Sequence, residues 1–203
     1  MPRTKAQYKA MRVATKNKIH SSAIKLFAKK GFAATSVQDI AFSAGISIGL
    51  LYRHYNTKEE LFNDLVSYAA KGLETLIKKF QSETAPIELI QQFTLEVLHD
   101  LENDDEFAQF FMIMNQSSAI EDPSPQIQYL NSQSEAMLEQ TARLIEKGQE
   151  LGQFKQGNAS EMAFYYFASI QGLAMIKFSI NERFITPSPK LVTAFLIKED
   201  YYK

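Results

Sequence analysis

Residues 35–61 read TSVQDIAFSAGISIGLLYRHYNTKEEL. Val37, Ile40, Ala41 and Ala44 share one face of a short helix over 36–44. Thr35 fits its N-cap, with Gln38 reaching back as in a capping box; Ser36 with Asp39 competes for that role. Gly45 then interrupts the helix. It allows a positive φ and plugs Ile46 into the core. A second short helix runs from about Ser47 to Tyr55, with Leu51 and Tyr55 one turn apart. With those two held inward, helical rotation leaves Gly49, Tyr52 and Arg53 pointing outward and Ile48, Leu50 and His54 on the flanks. Two short helices about a glycine turn make the geometry of a helix-turn-helix, whose second helix fits the major groove of duplex DNA.

The outward residue types suit that partner. Arg53 can reach a guanine edge or a phosphate, and Tyr52 and His54 offer polar tips to phosphate oxygens. Gly49 removes side-chain bulk, so backbone can approach the duplex, and Ile48 or Leu50 can touch a thymine methyl. Backbone N–H groups at the start of the first short helix, with Thr35 and Ser36, form an expected anion site. The start of the next long helix, with Lys58, offers a second one.

Charge supports the same reading. Residues 1–60 hold 11 Lys+Arg against 3 Asp+Glu, a net of +8, while the remainder holds 11 against 20, a net of −9. The chain's formal charge of −1 hides this asymmetry. A basic head on an acidic body meets a polyanion through the head alone.

The head also resembles the TetR family of bacterial repressors. The resemblance rests on Gly31-Phe32, Thr35, Ile40-Ala41, Ala44-Gly45-Ile46, Ser47, Gly49, Leu51-Tyr52, His54-Tyr55 and Lys58-Glu59-Glu60-Leu61, and covers about residues 12–66. It implies an all-helical homodimer with one helix-turn-helix per subunit. Phosphate contacts would fall on Thr35, Ser36, Tyr52, His54 and Lys58, with Ser47 in the same DNA-binding set. Base readout would fall on Gln38, Ile48, Gly49, Leu50 and Arg53. Ile48 and Leu50 depart from the commoner polar residues, which weakens hydrogen-bond readout and leaves the operator sequence open. Tyr55 replaces the usual Phe, so its hydroxyl needs water or a partner.

Outside this segment the pattern is helical almost throughout. A helix over 9–31 precedes it, with Ile19, Ala23, Leu26 and Phe27 as its stripe. Thr57 caps a long helix from Lys58 to about Gln81, with Glu60 as capping-box partner. Further helices are expected over 86–102, 104–118, 125–150, 159–182 and 188–199, with Gln153–Lys155 briefly extended. The fold expected is all-α: an N-terminal three-helix head over 1–56 on a larger helical-bundle body over 57–203.

The body is rich in Met and aromatic side chains, which can line an adaptable apolar pocket. The resemblance places a ligand cavity here, with Phe110, Phe111, Met114, Tyr129, Met137 and Phe167 as candidates beside the bland alternative of core packing. Ala168 and Gly172, four apart beside Met175, let another helix approach closely. The final helix, with Leu191, Val192, Phe195 and Leu196, is short and needs a packing partner. The resemblance implies that the last two helices pair with their symmetry mates as a four-helix bundle. Ala168, Gly172, Met175, Leu191 and Phe195 are the expected interface, and a two-fold dimer matches a palindromic operator.

The chain contains no cysteine, and its three histidines, His20, His54 and His99, show no metal-ligand spacing. No cofactor and no metal are expected. No Gly-rich phosphate loop, GxSxG or HExxH motif points to an enzyme. With no apolar run long enough for a bilayer and no signal-peptide pattern, a cytoplasmic location is the default. The reading is a regulator, most simply a repressor, released from its operator by a hydrophobic or amphipathic small molecule. An activator of the same fold stays open. A helical small-molecule carrier would explain the aromatic body but not the basic head.

Overall fold

Local capping signals set most of the helix ends. The computed structural model describes residues 4–103, 105–118, 120 and 122–202; the side chains of 105–107, 110 and 118 are outside that description. Its α-helices are α1 (Lys5–Lys30), α2 (Val37–Ser43), α3 (Ile48–Tyr52), α4 (Lys58–Phe80), α5 (Pro86–Asn103), α6 (Asp105–Ser118), α7 (Pro125–Glu150), α8 (Ala159–Ile180) and α9 (Pro189–Thr193). The all-α fold expected from sequence is what the chain adopts.

Helix α1 starts a turn earlier than its apolar stripe predicts. Thr4 and Gln7 form a reciprocal capping box, with the Gln7 amide donating to Thr4 Oγ1 at 3.2 Å and the Thr4 amide to Gln7 Oε1 at 2.9 Å. Of the two caps open for α2, Ser36 takes the role rather than Thr35. The Ser36 hydroxyl accepts from the Asp39 amide, and the Asp39 carboxylate accepts from the Ser36 amide, each at 3.1 Å. At α4, Thr57 accepts from the Glu60 amide at 3.0 Å, while the Glu60 carboxylate reaches past Thr57 to the Asn56 amide at 2.7 Å.

The end of the chain departs most from expectation. The helix predicted over 188–199 is only Pro189–Thr193. Leu196 and Ile197 are both fully buried. The chain instead extends and pairs with the loop after α7. The Lys155 amide donates to Leu196 O at 2.8 Å, the Lys198 amide donates to Gln153 O at 3.3 Å, and Phe154 bridges antiparallel to Ile197. The short extended stretch predicted at 153–155 is therefore present, and it fastens the tail. A five-residue α9 cannot supply a full arm of an intersubunit four-helix bundle, which corrects the expectation for the last two helices.

Two apolar cores lie along α4. The first half of the helix, with Leu61, Phe62, Leu65, Val66, Ala69 and Ala70, joins Ile19, Ala23, Phe27, Ile40, Leu51 and Tyr55 in the head core. Ile113 of α6 and Ile127 and Leu130 of α7 complete that core. The second half, with Leu73, Leu76, Ile77 and Phe80, packs against the body core around Ile90, Leu101, Leu144, Phe154 and Tyr166. Tyr166 is fully buried, and its hydroxyl lies 2.6 Å from that of Thr94. Thr94 already donates to Ile90 O at 2.7 Å, so Tyr166 is the donor to Thr94. Among the described residues, no helix is long and apolar enough to cross a membrane.

Candidate nucleic-acid interface and effector cavity

The turn between α2 and α3 is built as its sequence dictates. Gly45 sits at φ 64°, in the left-handed region that favours glycine. The Gly45 amide donates to Phe42 O at 3.1 Å and the Ile46 amide to Ala41 O at 3.0 Å, closing the turn. The Ser47 hydroxyl caps α3 by accepting from the Leu50 amide at 3.2 Å. Leu51 and Tyr55 are buried. Ser36, Gln38, Ser47, Ile48, Gly49, Tyr52 and Arg53 are exposed together, and Leu50 and His54 are half-buried at the flanks. Burial and the nearby Arg12 and Lys16 cations hold the His54 imidazole below its ordinary pKa.

Two of the expected phosphate ligands turn to the protein instead. Thr35 is buried, and its hydroxyl donates to Gly31 O at 2.8 Å, with Leu26 O 3.3 Å away. The Lys58 ammonium donates to Phe32 O at 2.7 Å and Thr35 O at 2.8 Å, and stands 4.3 Å from the Phe32 ring centroid. It clamps the loop between α1 and α2. The two expected anion sites are also occupied from within. Asp39 covers the start of α2, held below the usual carboxylate range first by the Ser36 amide and then by the Ser36 hydroxyl. Glu60 covers the start of α4. These local carboxylates satisfy the helix N-termini that sequence reasoning had offered to phosphate.

The sequence also hid a polar cluster. Asp64 Oδ2 accepts from the Tyr55 hydroxyl at 2.6 Å and the Lys16 ammonium at 2.8 Å, with His20 Nε2 3.0 Å away. This is the partner that Tyr55 requires. Burial alone would raise the Asp64 pKa, but the hydrogen bonds from Lys16, Tyr55 and His20 outweigh it and the net shift is downward. Burial and then Asp64 push the Tyr55 hydroxyl far up. A capping-type motif would have been local. This cluster joins α1, the end of α3 and α4 across 9 to 48 residues, so only the odd Tyr at position 55 signalled it.

In the body, a cavity of about 610 Å³ lies among α4, α5, α6, α7 and α8. Phe111, Met114, Met137 and Phe167 line it, four of the six side chains proposed from sequence. Tyr129 does not. It lies outside on α7, 44% exposed, with its hydroxyl 3.4 Å from Glu74 Oε2, because the turn of α7 aims Ser134, Met137 and Leu138 inward. The side chain of Phe110 lies outside the described residues. Sequence reasoning missed the wall given by α4 and α5: Tyr68, Gly72, Leu73, Leu76 and Phe93. The second half of the α4 stripe was the available signal. Few polar groups enter the lining. The most prominent is the Lys79–Glu96 ion pair at 2.9 Å. A more open cleft of about 640 Å³ beside the head is lined by charges of both signs, including Arg12, Lys16, Glu59, Glu60 and Asp64.

The expected interface residues do not all lie alike. Met175 and Leu191 are 50% and 68% exposed, Ala168 is exposed, and Gly172 is half-buried. Phe195 is half-buried, with its ring edge-on to Tyr165 at 4.7 Å.

Comparison with known proteins bears on the head first. Residues 19–65 match the model of bacterial regulatory proteins of the tetR family. Over 53 residues the chain is 49% identical to the helix-turn-helix-type transcriptional regulator YerO of Bacillus subtilis, covering 26% of this chain and 18% of that one. Over 88 residues it is 33% identical to IcaR of Staphylococcus aureus, the negative transcriptional regulator of the biofilm operon icaADBC, covering 43% and 47%. The matched segments thus span less than half of these curated relatives. The whole fold is similar to SmeT of Stenotrophomonas maltophilia in complex with triclosan, with a TM-score of 0.67 at 18% identity over 92% of this chain and 93% of that one. Over residues 19–65 the head thus matches the tetR family of bacterial regulatory proteins, and the chain as a whole shares the fold of SmeT.

Proposed function

We propose that the chain is a homodimeric, DNA-binding transcriptional repressor that leaves a palindromic operator when a hydrophobic or amphipathic small molecule enters the body cavity. The observation that carries this reading is the exposed face of α3. Ile48, Gly49, Tyr52 and Arg53 stand clear of the protein, while Leu51 and Tyr55 anchor the helix beneath them. The DNA-contacting set is Ser36, Gln38, Ser47, Ile48, Gly49, Leu50, Tyr52, Arg53 and His54. Arg53 is the side chain best suited to a guanine edge. The negative regulation by the Staphylococcus relative favours repression over activation.

Helix α4 supports ligand control. Its first half belongs to the head core and its second half lines the cavity, so a molecule there touches the rod that carries the head. An effector acts by its differential affinity for two head spacings. The apolar lining of Leu73, Leu76, Phe93, Phe111 and Phe167 favours a greasy ligand over a sugar phosphate. That triclosan occupies the SmeT complex agrees with this chemistry.

Dimerisation falls to α8. Phe164, Tyr165, Ala168, Gly172, Met175 and Ile176 occupy roughly 120° of its circumference, and the four largest are 50–60% exposed. Leu191 and Phe195 lie at its edge. A face of this kind on a helix is covered by a partner in water.

The test is binding to duplexes that the full-length protein enriches from a random-sequence pool. Arg53→Ala and Tyr52→Ala should each weaken the enriched duplex by about 1–3 kcal/mol, roughly 5- to 150-fold, with unchanged circular dichroism. Equal affinity of wild type and both variants would refute the recognition-helix assignment.

A further inference from the structure

The first 38 residues contain nine Lys and Arg and no Asp or Glu. The structure arranges part of that charge. Residues 5–15 form three turns of α1 that run free of the head core, which begins at Ile19. Every residue from 4 to 14 is exposed. At 100° per residue, Lys5, Lys9, Arg12 and Lys16 fall within about 60° of one another, in a stripe roughly 17 Å long. Among the described residues, Lys16 pairs with Asp64, while Lys5, Lys9 and Arg12 have no carboxylate partner.

This is an unfavourable way to build a free helix. Like charges at i,i+4, as in Lys5–Lys9 and Arg12–Lys16, destabilise it. Cations in the first turn also oppose the helix dipole, and that turn holds no acidic residue. A merely solvated helix face alternates its signs. A single-sign stripe gains by meeting a polyanion.

The stripe has a definite neighbour. Arg12 and Lys16 line the same cleft as His54, Tyr55 and Thr57, just beyond the end of α3. Three of the head's expected phosphate sites are engaged internally: Lys58 holds loop carbonyls, and Asp39 and Glu60 fill the helix N-termini.

We infer that the protruding N-terminal turns of α1 form a second DNA-contacting surface, in which Lys5, Lys9 and Arg12 lie along the phosphate backbone of the duplex flanking the half-site. This inference rests on α3 being the recognition helix. The stripe supplies affinity without sequence preference, while α3 supplies the choice of bases.

The experiment uses full-length protein and an enriched duplex in two lengths, one limited to the recognised sequence and one with flanks on both sides. The triple variant Lys5→Gln, Lys9→Gln, Arg12→Gln removes three cations from exposed positions. Its plot of log affinity against log salt should be shallower by about 2.7 per subunit, at 0.9 per phosphate. Between 50 and 200 mM salt, wild type should then lose roughly 40-fold more affinity per subunit than the variant. Single-base changes in the recognised sequence should cost both proteins the same factor. Removing the flanks should weaken wild type and leave the variant unchanged, and Lys5→Arg with Lys9→Arg should behave as wild type. A triple variant with wild-type slope and flank dependence overturns the inference and leaves the α3 reading standing. A wild-type protein that enriches no duplex overturns both.

Discussion

Asp64, on α4, gathers three partners on one carboxylate oxygen, Lys16 and His20 from α1 and Tyr55 from just beyond α3. Helix α3, the proposed recognition helix, is five residues long and cannot hold its own orientation. Its angle to the duplex therefore depends on side chains such as Tyr55. Tyr55→Phe removes a hydroxyl that bonds to Asp64 and lies 2.7 Å from His20 Nε2, and should cost about 1–2 kcal/mol of stability. Asp64→Asn removes a charge-assisted centre. Since that side chain is 34% exposed, a loss of about 1–2 kcal/mol is expected after solvent screening. The Asp64 pKa is lowered from 3.8 in the fold, so the unfolded chain takes up its proton at higher pH. The stabilisation is complete above the unfolded value and lost as pH falls through the folded one. Urea melts over about pH 2–5 should show a shallower pH dependence for Asp64→Asn than for wild type. At this scale the sequence revealed the outward side chains of α3 from helical rotation alone. It could not reveal that Thr35 and Lys58 face inward, because their partners are backbone carbonyls of a loop whose path no periodicity encodes.

Helix α4 is the element with the most to lose or gain. Gly72 lies at the cavity mouth on its exposed side, and a Cβ there would meet nothing within 4 Å. Gly72→Leu should therefore stabilise the helix by about 1 kcal/mol while narrowing the cavity. The expected result is a raised melting temperature, weaker fluorescence enhancement of anilinonaphthalene sulfonate and intact DNA binding. Unchanged dye binding would show that the mouth lies elsewhere. The start of α4 was legible from Thr57, whose side chain accepts from the Glu60 amide, whereas the Thr4 cap that starts α1 lies beyond the apolar stripe and was not. The last helix was misjudged because Phe195-Leu196-Ile197 has helical composition but is placed by strand-like bonds to 153–155, a contact some 40 residues distant.

At the scale of the whole molecule, the proposed dimer rests on the exposed apolar face of α8. Ile176, 50% exposed within it, has room for a larger polar group in the monomer. Ile176→Glu should leave the helical content unchanged, because the opposite face carries the buried Ala163, Tyr166, Ile170 and Ala174. It should shift sedimentation from dimer to monomer and lower operator affinity, since a palindrome rewards two heads held together. A variant that still sediments as wild type would remove α8 from the interface. The sequence pointed to this helix through Ala168 and Gly172. Phe164, Tyr165 and Ile176 read equally well as core or surface, because a helix apolar nearly all round does not reveal which side its own chain covers.

The head core is finished by Ile113, Ile127 and Leu130, side chains that lie far along the chain from the helix-turn-helix. A chimaera joining this head to a foreign body at residue 57 would discard them, together with the α4 residues from Leu61 to Ala70. Modular exchange would have to transplant those positions too, so the border an engineer could cut is a surface running through α4, α6 and α7, not a point in the chain.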